Sequence, residues 1–166
     1  MSQELATDGN AGSDHAGPEE ASEHASSPRS PMILVAEDNK LNCLLMAEQL
    51  RLLGFAAEIA ESGQEALVRW RTGAFAILLT DIQMPDMDGY ELAEAIRSEE
   101  AGGARMPIIA LTADELRGQA ARWKTAGIDD HLTKPAELAA LKAMLQRWLK
   151  RDRAAQPQPA GDRAAG

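Results

Sequence analysis

Cysteine, positive charge and long apolar runs are all scarce in this chain. Its single cysteine, Cys43, has no partner for a disulfide within the chain and falls in a helical pattern, so we interpret it as a packed thiol. No apolar run approaches the roughly 18 residues of a membrane-spanning helix. The N-terminus is acidic and polar, unlike the basic and then apolar pattern of a signal peptide. We therefore expect a cytoplasmic chain with no membrane contact in this segment.

An excess of basic residues is missing as well. The formal net charge is −9, from 17 lysines and arginines against 26 aspartates and glutamates. No part of the chain has the basic character of a nucleic-acid-binding surface, so we expect no direct contact with nucleic acid. A Gly-rich loop after the first apolar run is also absent, which argues against a nucleotide-binding domain.

Composition divides the chain into one domain-sized stretch between two polar segments. Residues 1–31 are acidic, rich in small residues and poor in large apolar ones, so they cannot offset the entropy cost of ordering. We expect a disordered linker there and a second one at residues 151–166, which include Pro157 and Pro159. Residues 32–150 remain as a folded domain of ordinary size.

Within residues 32–150, short apolar runs alternate with helical patterns. The predicted strands lie at residues 32–36, 56–60, 75–81, 107–112 and 130–133, and the predicted helices at 40–53, 62–71, 89–98, 114–125 and 137–150. Such alternation is typical of a parallel sheet with right-handed crossovers. We expect a flavodoxin-like (βα)5 doubly wound α/β sandwich, with a five-stranded parallel sheet of order 2-1-3-4-5.

Polar residues stand where the apolar runs end. Glu37 and Asp38 follow the first run, Asp81 ends the third, Thr112 follows the fourth, and Lys134 comes after the fifth. Sites in open α/β sheets lie outside the carboxyl ends of the strands, so we expect these side chains at one edge. Crowded carboxylates need a cation or a proton to compensate their charge, and oxygen ligands suit Mg²⁺.

Four segments resemble the receiver domain of two-component response regulators, the CheY-like family. They occur in the family's order and are Val35–Asn39, Asp81–Gly89, Ala110–Ala113 and Leu132–Pro135. The resemblance covers roughly residues 32 to 150. The Glu-Asp-Asn and Asp-Asp-His-Leu-Thr-Lys-Pro forms are most similar to receivers attached to hybrid sensor histidine kinases.

This resemblance implies a phosphoacceptor domain in a phosphorelay. Asp81 would accept a phosphoryl group from a histidine of a partner, either a histidine kinase or a histidine phosphotransfer domain, in a Mg²⁺-dependent reaction. Lys134 would pair with the phosphoryl oxygens, and Thr112 would donate its hydroxyl to one of them. The domain would catalyse only its own phosphorylation and dephosphorylation, and would then switch conformation or pass the group on.

A Mg²⁺ site is also implied by the resemblance. The ion would be held by Asp38, Asp81 and the backbone carbonyl of Gln83, with Glu37 acting directly or through water. Glu37 departs from the aspartate that is commoner at its position in the family. His131 is a second departure, since it lies three residues before Lys134, where many members carry Tyr or Phe. With Thr112, it is the candidate switch residue.

The first predicted helix carries leucines on two sides. Leu45, Met46, Gln49, Leu50 and Leu53 fit one face by helical spacing, whereas Leu41, Leu44 and Leu52 fall off that face. Scattered exposed leucines are common on protein surfaces. The functional alternative is a docking patch for the histidine-containing partner, beside the acidic site.

Three settings stay open for such a domain. The two predicted linkers suit a monomeric module of a hybrid kinase, which could be the cytoplasmic part of a membrane-bound sensor. A stand-alone single-domain response regulator with polar tails is the second setting. The third is a different class, a Mg²⁺-dependent phosphatase with an aspartyl nucleophile. Such sites usually carry a second acid two positions after the nucleophile, where this chain has Gln83.

Overall fold

The computed structural model describes residues 31–100, 102, 105–113 and 120–155. Residues 1–30 and 156–166, where we predict linkers, lie outside these ranges. So does the start of the helix that we predict at residues 114–125.

Five strands alternate with five helices in the described ranges. The strands are β1 (Met32–Ala36), β2 (Ala56–Ala60), β3 (Phe75–Asp81), β4 (Ile108–Thr112) and β5 (Asp130–Thr133). The helices are α1 (Lys40–Leu52), α2 (Gly63–Trp70), α3 (Gly89–Glu99), α4 (Ala120–Ala126) and α5 (Leu138–Ala155). The strands form one parallel sheet in the order β2-β1-β3-β4-β5, which confirms the predicted fold.

Both faces of the sheet are covered, which explains the continuous apolar runs in its central strands. Alternate residues point to opposite faces of a strand, so Leu34 and Leu78 join a core cluster on one face while Ile33 and Ile77 join a second cluster on the other. Strands buried on both faces favour apolar residues on both sides. In β1 and β3 the charged side chains therefore come only where the strand leaves the core, which is at its end.

Local hydrogen bonds fix the loops that follow β1 and β3. The Asn39 side chain caps α1 by accepting from the backbone N–H groups of Leu41 and Asn42. Asp88 caps α3 in a capping box with Glu91. These caps hold the first turns of both helices against the carboxyl edge of the sheet.

Gly89 allows the close approach of α3 to the end of β3. A Cβ atom at this position would collide with the backbone carbonyl of Asp81. Its backbone N–H instead donates to the carbonyl of Ile82 at 3.0 Å. The short loop from Asp81 to α3 therefore requires glycine where the helix begins.

Two details differ from the predicted helices. In α1 the buried side chains are Cys43, Met46 and Leu50, whereas Leu45 is 47% exposed and the prediction that it is buried was wrong. The i, i+3, i+7 stripe through Cys43 faces the sheet, which turns Leu45 toward solvent. The last helix continues to Ala155, past the predicted end at Lys150, because the next residue that opposes a helix is Pro157.

Among the described residues, no helix combines the length and the apolar character that crossing a membrane requires.

Candidate functional site

Three carboxylates meet at the carboxyl edge of the sheet. Glu37 and Asp38 follow β1, and Asp81 ends the neighbouring strand β3. One oxygen from each of the three lies within 4.8 Å of the others. Glu37 and Asp81 are buried, whereas Asp38 is exposed. Three negative groups at such distances repel one another, so this arrangement favours a bound cation.

Lys134 supplies one positive charge to this site from the end of β5. Its Nζ lies 2.7 Å from Glu37 Oε2 and 2.7 Å from Asp81 Oδ2. Burial by itself lowers the pKa of Lys134, but the hydrogen bonds to Asp81 and Glu37 outweigh it and raise the pKa above its ordinary value. The ammonium group therefore stays charged and joins the ends of β1, β3 and β5.

Further hydrogen bonds orient the two buried carboxylates. Glu37 Oε1 accepts from the backbone N–H of Asn39 at 3.1 Å and from the Asn42 side-chain amide at 3.2 Å. Asp81 Oδ1 accepts from the backbone N–H of Gln83 at 3.0 Å. Our sequence reasoning assigned no contact to Asn42. Its place one helical turn after the end of β1 could have indicated one.

A cleft of about 760 Å³ opens beside Asp81. Its lining includes Asp81, Thr112 and Lys134, so the structure brings together the three residues expected to act on a phosphoryl group. Thr112 is buried at the end of β4, next to β3 in the sheet. Gln83 also lines the cleft. The arrangement places a carboxylate, an ammonium group and a hydroxyl around one space that is open to solvent.

The oxygen atoms of this site match the preferences of Mg²⁺. Small hard cations bind carboxylate and carbonyl oxygens, and the cluster offers carboxylates from Glu37, Asp38 and Asp81. A divalent ion would compensate the negative charge that Lys134 leaves unbalanced. The donor set present in the structure therefore fits Mg²⁺.

Cys43 packs under this site and does not belong to its chemistry. Its Sγ is buried and donates to the backbone carbonyl of Glu37 at 3.1 Å. Burial first, and then the negative charge of Glu37, raise the pKa of the Cys43 thiol. The thiol stays protonated, which agrees with the predicted packed role.

The remaining predicted site residues lie outside the cleft. His131 is exposed on β5 and contacts Trp123 of α4, with 4.4 Å between the ring centroids. Leu41, Leu44 and Leu52 are 75%, 70% and 60% exposed on α1. The exposure predicted for these leucines is confirmed. Leu41 lies in the first turn of α1, which begins two residues after Asp38, and Leu44 and Leu52 continue an exposed apolar stripe along the helix away from the acidic site.

Comparison with known proteins agrees with this geometry. The model of the response regulator receiver domain family matches residues 33–146. The virulence sensor protein BvgS of Bordetella pertussis is 39% identical over 149 residues, which cover 85% of this chain and 12% of that protein. The chain thus spans about an eighth of the length of this relative.

Two solved structures extend the comparison. The receiver domain of the sensor histidine kinase PA1611 from Pseudomonas aeruginosa, with a magnesium ion coordinated in its active-site cleft, is 36% identical with a TM-score of 0.66. The match covers 73% of this chain and 98% of that one. A complex from Saccharomyces cerevisiae joins the histidine phosphotransfer protein Ypd1 to the receiver domain of Ssk1. It matches at 30% identity with a TM-score of 0.67, over 72% of this chain and 88% of that one.

The family match covers more than half of the chain, and the fold and the polar strand ends agree with it. This chain belongs to the response regulator receiver domain family.

Proposed function

We propose that this domain takes a phosphoryl group from a partner's histidine onto Asp81, as a receiver in a two-component phosphorelay. The observation that carries the proposal is the position of Asp81. Its carboxylate borders the open cleft, contacts Lys134 at 2.7 Å and shares the lining of the cleft with Thr112. A carboxylate in such a place is a competent phosphoryl acceptor.

The transfer exchanges one bond to phosphorus for another. An oxygen of the Asp81 carboxylate attacks the phosphorus atom, and the P–N bond to the partner's imidazole breaks as the O–P bond forms. The imidazole nitrogen keeps the electron pair of the broken bond and takes up a proton from solvent. Such a transfer depends mainly on in-line positioning and on neutralising the phosphoryl charge. Lys134 supplies a positive charge for the phosphoryl oxygens, and Thr112 donates its hydroxyl to one of them.

Mg²⁺ completes the proposed site. Asp38, Asp81 and the backbone carbonyl of Gln83 would hold it, and when bound it supplies positive charge that offsets the phosphoryl oxygens. Glu37 already binds Lys134 and Asn42 with its two oxygens, which favours contact with the ion through water. In this proposal the domain catalyses only its own phosphorylation and dephosphorylation.

The proposed setting is a hybrid sensor histidine kinase, of which this chain is one cytoplasmic, monomeric module. The match to BvgS, a sensor protein of which the chain covers 12%, supports this setting. The predicted start of the receiver at residue 32 and the linker at residues 1–31 belong to the same proposal, whereas the second linker, predicted at residues 151–166, is proposed only after Ala155, where α5 ends. A stand-alone response regulator would use the same site in the same way. The two alternatives therefore differ only in whether the domain belongs to a longer kinase.

The phosphatase alternative finds no support at Gln83. Gln83 carries a side-chain amide instead of a second acid. The backbone N–H of Gln83 donates a hydrogen bond to Asp81 Oδ1. Turnover of a small phosphate ester would be required to revive that alternative.

The proposal is tested by measuring the mass of the intact protein before and after phosphorylation. Incubation with acetyl phosphate and Mg²⁺ should add one phosphoryl group per chain, read by intact-mass spectrometry. Omitting Mg²⁺ should suppress the addition. An unchanged mass, or several additions per chain, would contradict the proposal.

Asp38→Asn should weaken Mg²⁺ binding by at least about tenfold. Losing a residue that only supports a metal ligand already costs about tenfold or more in metal affinity, and Asp38 would be a ligand itself. The exposed carboxylate of Asp38 is the member of the cluster that no ammonium group contacts in the described structure. Affinity is measured by following the amide NMR shifts of Glu37 and Asp81 during titration with Mg²⁺.

The matched control is Asp86→Asn, which removes a carboxylate from the loop after β3 but not from the cluster. Its affinity for Mg²⁺ should equal that of the unmodified protein. Without Mg²⁺, Asp38→Asn should raise the midpoint of urea unfolding, because it removes one of three repelling carboxylates. Shifts centred far from Glu37 and Asp81 would place the ion elsewhere and refute the site.

A further inference from the structure

The cleft beside Asp81 contains a second positive charge that the proposed phosphorylation does not use. Among the described residues that line the cleft, Lys134 and Arg122 are the two cationic ones. Lys134 already contacts the carboxylates of Glu37 and Asp81, each at 2.7 Å. Arg122 lies on α4, and its side chain is 62% exposed. Of these two cations, Arg122 is therefore the one that remains available to a molecule in the cleft.

Tyr90 gives the Arg122 guanidinium a fixed support at the wall of the cleft. The Tyr90 side chain is buried in the first turn of α3 and also lines the cleft. Its hydroxyl accepts a hydrogen bond from the indole N–H of Trp123 at 3.0 Å, which orients the ring. The guanidinium carbon of Arg122 lies 4.0 Å from the centroid of this ring. A cation–π contact of this kind holds the guanidinium in place without using a hydrogen-bond acceptor.

The N–H groups of Arg122 retain hydrogen-bonding capacity. In the described structure Arg122 Nη2 lies 3.8 Å from Asp88 Oδ2, which exceeds the distance of a hydrogen bond. A guanidinium has five N–H donors, and none of those of Arg122 donates a hydrogen bond to another described residue. Their planar fork matches the paired oxygens of carboxylates and phosphates. Arg122 can therefore bind an oxyanion without giving up a hydrogen bond.

A small acyl phosphate would release a negative charge into this cleft. An oxygen of Asp81 attacks phosphorus, and the P–O bond to the acyl group breaks as the new O–P bond forms. The carboxylate leaves with the electron pair of the broken bond and needs no proton. Lys134 is engaged by the phosphoryl oxygens, so it does not neutralise the departing group. In-line displacement sends that group away from buried Asp81, toward the open part of the cleft that Arg122 lines.

We propose that Arg122 binds the carboxylate leaving group of small acyl phosphates and thereby favours them as phosphodonors to Asp81. Its positive charge stabilises a leaving group that becomes an anion, and it does less for a nitrogen leaving group. Imidazole and ammonia depart as neutral molecules, because the nitrogen takes up a proton when the P–N bond breaks. Arg122 is then a specificity-determining residue for the donor. This inference rests on the proposed phosphorylation of Asp81.

The test compares two small donors that differ in their leaving group. Acetyl phosphate releases acetate and phosphoramidate releases ammonia, whereas both transfer the same phosphoryl group. Initial rates are measured by intact-mass spectrometry, with Mg²⁺ and with each donor below saturation. Arg122→Gln should slow phosphorylation by acetyl phosphate by about tenfold, the lower end of what a hydrogen bond to a charged group contributes. Its rate with phosphoramidate should stay close to that of the unmodified protein.

Lys124→Gln is the matched control on the same helix. Lys124 is exposed and follows Arg122 by two residues, so it points about 200° away around the helix axis. It does not line the cleft, and its loss should leave the rates with both donors unchanged. Arg122→Lys keeps the charge but loses the planar fork, so its rate with acetyl phosphate should lie between those of Arg122→Gln and the unmodified protein.

The outcomes separate this inference from the proposed function. An unchanged rate of Arg122→Gln with acetyl phosphate, or the same loss in Lys124→Gln, would overturn the role of Arg122 alone. A merely structural role of Arg122 would slow both donors alike and lower the midpoint of urea unfolding, which would also overturn the inference. An unmodified protein that neither donor phosphorylates would overturn the proposed function, and this inference with it.

Discussion

Asp81→Asn should abolish phosphorylation by acetyl phosphate and by a phosphorylated partner. Its amide lacks the anionic oxygen that attacks phosphorus, while its shape allows the Gln83 backbone N–H and Lys134 to remain close to the side chain. Intact-mass spectrometry should show one added phosphoryl group on the unmodified protein and none on the variant. Circular dichroism and the urea midpoint check that the variant is folded.

Two neighbouring aspartates provide matched controls in the same loop. Asp86 has a backbone φ of 68°, a conformation that asparagine tolerates well, so Asp86→Asn should fold normally. Asp88 caps α3, and asparagine is an equally good capping residue. Both variants should be labelled to the same extent as the unmodified protein. A phosphoryl group on Asp81→Asn, or its loss from either control, would refute the assignment of Asp81.

The strand ends of this domain could be predicted because burial on both faces restricts which residue types a strand can carry. A strand covered on both faces must be apolar until it leaves the core, as β3 is from Ile77 to Leu79. The polar residues that follow such a run then mark the carboxyl edge, although in β3 the first of them, Thr80, is itself still buried. The rule places Glu37, Asp81 and Thr112 at one edge without any knowledge of long-range packing.

Side-chain contacts between distant elements could not be predicted in the same way. The bond from Trp123 to Tyr90 joins residues 33 positions apart, and no local pattern marks them as partners. The exposure of Leu45 depends on how α1 is rotated about its axis against the sheet. The spacing of the apolar residues does not fix this rotation, so a residue at the border of the predicted buried face can lie on either side of it. Periodicity identifies a helix more securely than the centre of its buried face.

The position of Lys134 was easier to predict than the orientation of the His131 side chain, because the two residues differ in their place on β5. Lys134 follows β5, and its ammonium group reaches two carboxylates that a buried cation requires. His131 lies at the edge of the sheet, where both an inward and an outward side chain are sterically allowed. The structure places it outward against Trp123, a choice that the sequence pattern does not contain.

The second large effect is expected at the apolar stripe of α1. Leu44→Asp should slow phosphoryl transfer from a histidine-containing partner by about 30-fold or more, the factor that corresponds to losing a central apolar contact in an interface. Leu44 is 70% exposed, so this substitution changes the surface and leaves the core intact. Together with Leu41 and Leu52 it gives α1 an exposed apolar stripe, and α1 starts at Lys40, two residues after Asp38, which we propose as a metal ligand. A partner helix that covers this stripe would bring its phosphohistidine to the cleft.

Acetyl phosphate separates docking from chemistry in this experiment. It needs no protein interface, so labelling of Leu44→Asp by this donor should equal that of the unmodified protein. Val68→Asp is the matched control, because Val68 is 61% exposed on α2 and receives the same charge away from α1. It should accept phosphoryl groups normally from both donors.

Equal loss of labelling by both donors in Leu44→Asp would indicate damage to the fold, and undiminished transfer from the protein donor would show that α1 is not the docking surface. A defect confined to the protein donor and to the α1 variant is the outcome that the exposed stripe predicts, because only docking depends on it.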